Sequence, residues 1–328
     1  MTTAHRPPTL EDVARTAGVS RATASRVLAG TGYASAAARD RVGGAADRLG
    51  YTPNLAARAL VRGTGVRLVM AVTGTASTVL DDPYVHRALG ACARVCTPYG
   101  LGVALHWLPT RAPGEVRRLA EDRSVGGVVL INTTETVLDA VPVGLRGRVA
   151  SIGIGSALVP SFDVDNGGGT EALLRHLYAT GRRRIAMVTG PRWLSCAGRS
   201  VGAYRRVVRD AALPVRLVPG DFSADRGRVA AREVLARWPD TDAILGSSDA
   251  TALGVMDGLR GDGVQVPGDV AVTGFDDIPL AAMTTPALTT ATNPVARIAT
   301  AAATAVLGGR AVPPSTVFPS QLVRRLSG

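Results

Sequence analysis

Apolar residues near the start of the chain recur with the helical period. Leu10, Val13, Ala14 and Ala17 fall at i, i+3, i+4 and i+7, which predicts an amphipathic helix over 10–17. Thr9 is placed to cap it, and Glu11 and Asp12 suit its positive end. Gly18 stops it, since glycine enters the left-handed conformation freely. Ser20 then caps a second helix over 21–28, with Ala24, Val27 and Leu28 inward and Arg21, Ala22, Ser25 and Arg26 outward. A third helix is expected over 35–49, burying Val42, Ala45, Ala46 and Leu49. Gly43 and Gly44 lie inside it and each costs about 1 kcal/mol relative to Ala, so packing must hold that helix. Two short helices joined by Gly-Val-Ser, with a third behind them, form the helix-turn-helix pattern. Next, Pro53 bars Thr52 from helical geometry and Asn54 can cap a helix of about seven residues, too few to stand alone in water.

From Val66 the pattern changes. The apolar runs RLVMAVT, GVALHW, GGVVLI, RVASIGI, RIAMVTG, DAILGSS and DVAVTGF alternate with helix-length segments. That alternation predicts parallel α/β structure, and the number of units fits two doubly wound lobes. Ligands in such folds sit at the carboxyl ends of the strands. Every long apolar run is broken by Gly, Arg or Asp within about ten residues, so no span of roughly 20 apolar residues exists. The opening MTTAHRPPTLEDV has no apolar core, so no secretory signal is expected.

Charge sharpens the reading of the head. The formal net charge is +11 and every one of the 37 basic residues is Arg. Residues 1–62 carry nine Arg against Glu11, Asp12, Asp40 and Asp47, a balance of +5 in under a fifth of the chain. Such an excess favours phosphate contacts and counterion release. A solvated face would explain an isolated Arg pair. Here Arg21 and Arg26 flank the small Ala22 and Ser25 on the outer face of a second helix, which lets the helix sit deep in a major groove. Arg can pair bidentately with guanine, and Ala22 can meet a thymine methyl. The three cysteines Cys92, Cys96 and Cys196 cannot staple a framework, and the first two read as a buried reduced pair on one helix.

The stretches Thr9 to Leu28 and Gly50 to Leu60 resemble, nearly residue for residue, the lactose-repressor/galactose-repressor family of bacterial transcription regulators. The pattern is T-L-x-D-V-A-x-x-A-G-V-S-x-x-T-x-S-R-V-L followed by G-Y-x-P-N-x-x-A-R-x-L, with Ala24 where Val is usual. The resemblance implies a homodimer on a palindromic double-stranded operator, acting in the bacterial cytoplasm on the nucleoid. It implies DNA contacts by Thr9, Ser20, Arg21, Ala22, Thr23, Ser25 and Arg26. Tyr33, Ser35 and Arg39 would touch phosphate, and Asn54, Ala57, Arg58 and Leu60 would belong to a hinge helix in the minor groove, with Leu60 wedged between base pairs. The fold implied is a three-helix head plus hinge helix, then a core like that of periplasmic sugar-binding proteins. Expected divisions are a head at 1–52, a hinge at 53–65, an amino-terminal lobe at 66–160 plus 291–318, and a carboxy-terminal lobe at 161–290 plus 319–328. Crossings between lobes are expected near Pro160, Thr290 and Phe318.

Family elements also point to a cleft. Asp82-Pro83-Tyr84 resembles N-P-F/Y, Arg199 lies in S-x-x-x-R-x-x-G-Y, Phe222 in G-D-F/W, and Asp276 in G-F-D-D. Asp82, Tyr84, Arg199, Phe222, Ser248 and Asp276 are therefore the expected effector-binding residues. An Arg, an Asp and an aromatic ring suit a sugar. Asp165, Asn166 and Asp277 read as caps or turn residues. Ser248 stands where the family commonly has Asn, so either the ligand differs or Ser248 reaches it through water. The closing LVRRLS resembles the family's end, so the core is expected to be complete. No heptad-rich tail follows Gly328, which favours a dimer over a tetramer. Whether ligand releases or recruits DNA is left open, and a member that ignores small molecules is a rival. An enzyme is disfavoured: no phosphate-loop spacing occurs, no Lys exists for a P-loop, and His5, His86, His106 and His176 show no metal spacing. No cofactor or metal is expected. A transport-type sugar-binding protein would not carry the DNA head.

Overall fold

Thr9 sets the start of the first helix in the computed structural model, which describes residues 8–29, 34–51, 65–308 and 312–328. The chain divides into two compact units between Thr64 and Gly65. In the first, α1 spans Leu10–Ala17, α2 Arg21–Ala29 and α3 Ala36–Leu49. Thr9 and Asp12 form a reciprocal capping box, with the Thr9 N–H donating to Asp12 Oδ2 at 2.9 Å. Gly18 ends α1 at φ 63, a conformation that strains any side chain with a Cβ. Ser35 lies one residue outside α3 as its cap, accepting from the Ala38 N–H at 3.2 Å. Val13, Ala14, Ala17, Ala24, Val42, Ala45 and Ala46 form the small core, edged by Leu10, Val27, Leu28, Leu49 and Tyr51. Arg41 donates to the Ala17 carbonyl at 3.3 Å, satisfying an orphan acceptor at the end of α1.

The second unit holds two parallel sheets. The larger has strand order β11-β5-β4-β3-β1-β2, all parallel neighbours, from Arg67–Gly74 (β1), Gly102–Pro109 (β2), Val125–Ile131 (β3), Val149–Ile152 (β4), Ser161–Val164 (β5) and Ser315–Phe318 (β11). The smaller has order β7-β6-β8-β9, from Ile185–Val188 (β6), Leu217–Val218 (β7), Ala243–Gly246 (β8) and Ala271–Thr273 (β9). Thr290–Ala291 (β10) pairs antiparallel with Leu322–Val323 (β12) beside the smaller sheet. The helices follow in order: α4 Pro83–Cys96, α5 Val116–Glu121, α6 Glu135–Asp139, α7 Asn166–Ala179, α8 Ser195–Asp210, α9 Ala224–Arg237, α10 Asp249–Gly261 and α11 Val295–Gly308.

β1 is buried along nearly its whole length because helices cover both of its faces. On one face Leu68, Met70 and Val72 pack with α4 and α11; on the other Val69 and Ala71 pack with α5 and α6. The first of these clusters continues through Phe162 and Val164 to Leu173, Leu174 and Met187, so buried apolar packing runs from the larger sheet to the smaller. The expected first crossing near Pro160 needs correction. Residues 161–164 form β5, paired with both β4 and β11 in the larger sheet, so the chain leaves that lobe at Asp165. Its short polar-apolar alternation, Ser-Phe-Asp-Val, hid it as a strand. Cys92 and Cys96 are buried and reduced on α4.

Candidate functional sites

In the head, Arg21, Ala22, Ser25 and Arg26 are all exposed on α2 while Ala24 beneath them is fully buried. The face is ordered from within. Ser20 accepts from the Thr23 N–H at 3.1 Å, and its hydroxyl lies 2.9 Å from Thr23 Oγ1. Arg26 Nε reaches the Ala22 carbonyl at 3.3 Å. Arg39 is exposed and donates to the Ala34 carbonyl at 2.9 Å. Thr9 Oγ1 is engaged in the capping box, bonded to Asp12 Oδ2 at 2.6 Å. Tyr33, Asn54, Ala57, Arg58 and Leu60 lie outside the described residues.

In the second unit, Asp82, Tyr84, Arg199, Phe222, Ser248 and Asp276 line one cavity of about 110 Å³. That is far above the roughly 10–15 Å³ that one water needs. They come from the two lobes: Asp82 and Tyr84 open α4, while Arg199, Phe222, Ser248 and Asp276 sit around the smaller sheet. Asp82 caps α4 by accepting from the Tyr84 N–H at 2.8 Å, with Pro83 in the first turn where its missing N–H costs nothing. Arg199 Nη2 donates to Asn166 Oδ1 at 3.0 Å and to Asp163 Oδ2. The Phe222 ring lies over Gly190, where a Cβ would come within 2.3 Å of the ring. Asp276 accepts from Asn293 Nδ2 at 3.0 Å, and its carbonyl accepts from Arg87 on α4 at 3.2 Å, joining the lobes.

Backbone strain gathers here. Among the described residues five non-glycine residues have positive φ, and Asn132, Phe222 and Asp276 of these line the cavity. Each such conformation costs of order 1–3 kcal/mol and persists only where its surroundings enforce it. Ser248 is one enforcing residue. Its hydroxyl caps α10 by accepting from the Thr251 N–H at 3.1 Å and lies 3.0 Å from both the Phe222 carbonyl and Thr251 Oγ1. A hydroxyl has one proton, so Ser248 faces the cavity with its donor already committed.

The cavity is rich in carboxyl groups whose neutral forms are favoured by burial. Burial holds the carboxyl of Asp276 well above the usual carboxylate range, and the nearby Asp249 adds to this. Burial also raises Asp163, against the pull of the Arg199 guanidinium, and raises Asp82, against its hydrogen bond from the Tyr84 N–H. Beneath the cavity, burial pushes Asp249 to about 7, opposed by its bond from the Thr290 hydroxyl. Arg199 is the one cationic side chain among the described lining residues.

Asn132, Cys196 and Asn293 also line the cavity, and sequence reasoning did not single them out. Asp163 lines it too, at the head of the stretch DVDNGG, which resembles a family element of the cleft. Of the expected cap and turn residues, Asp165 does cap α7, accepting from the Gly168 N–H at 2.8 Å, and Asp277 is held by Arg325 at 2.6 Å. Asn166 differs: it lines the cavity and orients Arg199.

A helix-turn-helix head and a two-lobed α/β core with a cleft, carried on one chain, define a DNA-binding regulator with a built-in sensor. A profile described as bacterial regulatory proteins, lacI family, matches residues 9–54, and a periplasmic binding protein-like domain matches 174–327. The chain is 35% identical over 309 residues to the HTH-type transcriptional regulator CelR of Thermobifida fusca, covering 88% of each. A solved complex of the regulator CelR with cellobiose is 30% identical, with a TM-score of 0.69 over 98% of this chain and 100% of that one. The lac repressor dimer bound to operator and the anti-inducer ONPF shares the fold, with a TM-score of 0.85 at 24% identity over 98% of this chain and 99% of that one. The chain belongs to the lacI family of bacterial regulatory proteins. It is a DNA-binding transcriptional regulator, and its family consists of regulators rather than enzymes. No described helix is long and apolar enough to cross a membrane.

Proposed function

We propose that the protein is a homodimeric repressor of the bacterial cytoplasm whose affinity for a palindromic operator is set by a neutral sugar in the cleft. Each subunit places α2 in a major groove, with Arg21 and Arg26 reading base edges and Ala22 lying close to them. Residues 53–65 form the hinge, in which Asn54, Ala57, Arg58 and Leu60 follow the minor groove, and Tyr33, Ser35 and Arg39 hold phosphate. Asp82, Tyr84, Arg199, Phe222 and Asp276 bind the effector, with Ser248 supporting Phe222 rather than donating to the ligand.

The observation that carries this reading is the cavity's lining. Hydroxyl-seeking carboxyls, one guanidinium and the Phe222 ring suit a molecule with many hydroxyls and one apolar face. Among the described lining residues the one guanidinium, Arg199, is already engaged by Asp163 and Asn166, which disfavours a phosphate or carboxylate ligand. The relative CelR is known in complex with cellobiose, a neutral sugar, which agrees with that preference. Closure of the lobes on the sugar alters the hinge, and operator DNA must weaken the sugar by the same factor that sugar weakens DNA.

The test is a screen of neutral sugars, an amino sugar and sugar phosphates by thermal shift of the full-length protein. A neutral sugar is expected to raise the melting temperature and the phosphates to leave it unchanged. A shift with phosphates alone overturns the reading, and a shift with the amino sugar alone would point to a cationic ligand instead.

A further inference from the structure

What Arg199 can bind depends on which of its N–H groups are already taken. A guanidinium grips a carboxylate or phosphate best with two parallel N–H groups, and it has two such forks. One is formed by Nη1 and Nη2, the other by Nε and Nη2, so Nη2 contributes one N–H to each. In Arg199, Nη2 meets two acceptors: it donates to Asp163 Oδ2 and, at 3.0 Å, to Asn166 Oδ1. Each fork is therefore half occupied. Arg199 can offer a ligand single hydrogen bonds but not a bidentate grip, and it is the one cation among the described residues that line the cavity.

Both acceptors are held in place by their own segments. Asp163 lies on β5 between Phe162 and Val164, whose side chains enter the core. Its own side chain points the opposite way and lines the cavity. Asp163 Oδ1 accepts from the Val164 N–H at 2.8 Å, which leaves Oδ2 to Arg199. Asn166 is buried in the first turn of α7. β5 belongs to the larger sheet, whereas α8, which carries Arg199, follows β6 of the smaller one, so the pair joins the two lobes at the cavity wall. Burial raises the Asp163 carboxyl and the Arg199 guanidinium is the chief influence against it, so the two groups act as a unit. A carboxyl of the protein already stands where an anionic ligand would place its own.

We propose that Asp163 sets the charge specificity of the cavity: by occupying Arg199 it excludes sugar acids and reserves the site for uncharged ligands. The proposal rests on the reading of the cavity as a neutral-sugar site. A neutral ring needs single hydrogen bonds, which Arg199 can still give. An anionic ligand must displace Asp163, leaving a buried carboxyl unpaired, or lie beside it against like-charge repulsion. Removing the Asp163 side chain frees one fork, and the carboxylate of a sugar acid can take the vacated place. Asp163 is thus a specificity residue that acts through Arg199.

Glucose, galactose and cellobiose, and the acids glucuronate, galacturonate and cellobionate, are titrated calorimetrically into the full-length protein and into its Asp163→Ala and Asp163→Asn variants. In the wild type a neutral sugar is expected to bind at least about tenfold more tightly than its acid. Asp163→Ala is expected to move that ratio at least about tenfold towards the acid, the least that a charge-assisted hydrogen bond contributes. Asp163→Asn removes the charge but keeps one acceptor, so it moves the ratio the same way by less, and it is the variant read where alanine lowers the ligand-free melting temperature. Asp163→Ala combined with Arg199→Ala is expected to bind the acid no better than the wild type does. A purely structural role would weaken neutral and acidic sugars alike. A ratio that stays within about twofold in both single variants overturns the charge filter and leaves the neutral-sugar reading standing, as does a gain in acid binding that survives the loss of Arg199. Wild-type binding of an acid as tight as that of its neutral partner overturns both. Binding of none of these sugars by any of the four proteins overturns the reading of the cavity, and the filter with it.

Discussion

At the scale of single residues, the cleft shows how a side chain acts through its neighbours. Arg199 is aimed by Asn166 and Asp163, and Asp276 is held at φ 114 with Asn293 on its carboxyl and Arg87 on its carbonyl. Arg199→Ala and Asp276→Ala should each abolish the sugar-induced thermal shift while leaving sugar-free operator binding within about twofold. An undiminished shift in both variants would remove them from the site. On the DNA side, Arg26→Ala should cost about 1–3 kcal/mol at one guanine position of the operator and relax the preference there. A loss that is uniform across all sequences would mean that Arg26 meets phosphate only. Six cleft residues were legible because each lies in a short, specific stretch of sequence. Asn132 and Asn293 were not: a single Asn in a loop has many uses, and only the fold brings these two to the cavity. Ser248 was legible as a position but not as a role, since capping α10 and holding Phe222 depend on how two distant segments meet.

At the scale of elements, the three head helices follow from capping and period, and the structure shifts their ends by a residue at most. α3 is the weakest of them on propensity. A Cβ on Gly43 would meet nothing within 4 Å, so Gly43→Ala should stabilise the head by about 1 kcal/mol. Chemical denaturation followed by circular dichroism would show this as a higher midpoint at unchanged slope. Destabilisation would mean that Gly43 serves a packing need the helix does not reveal. The long strands of the core were legible as apolar runs, because burial on two faces leaves little room for polar residues. β5, β7 and β10 to β12 were not. They are two to four residues long, β5 is polar on alternate positions and β11 is polar in its first half, so neither length nor period separates them from loop. The short, half-polar β5 is why the first crossing falls at Asp165 rather than near Pro160.

At the scale of the whole molecule, the buried carboxyls make the core's stability depend on pH. Asp249 titrates near 7 when folded and at 3.8 when exposed, so the folded state holds its proton across that interval and the unfolded state does not. Stability therefore falls as pH rises from about 4 to 7, and the raised Asp82, Asp163 and Asp276 act in the same sense. The melting temperature of the full-length protein should be lower at pH 8 than at pH 5. Asp249→Asn should flatten that slope, and an equally steep slope in the variant would place the titration elsewhere. The proposed hinge at residues 53–65 also belongs to this scale. Leu60→Ala should weaken operator binding far more than binding to unrelated DNA, because a wedge gains only at a kinked site. Equal losses on the two DNAs at fixed salt would argue against a wedge.

Coupling between the cleft and the head is tested most directly by one titration. Operator affinity is measured by fluorescence anisotropy at constant salt, without and with a saturating concentration of the sugar that shifts the melting temperature. Coupled sites are expected to change that affinity by roughly 5- to 150-fold, the range of ordinary allosteric coupling. Identical affinity in the two titrations would contradict it.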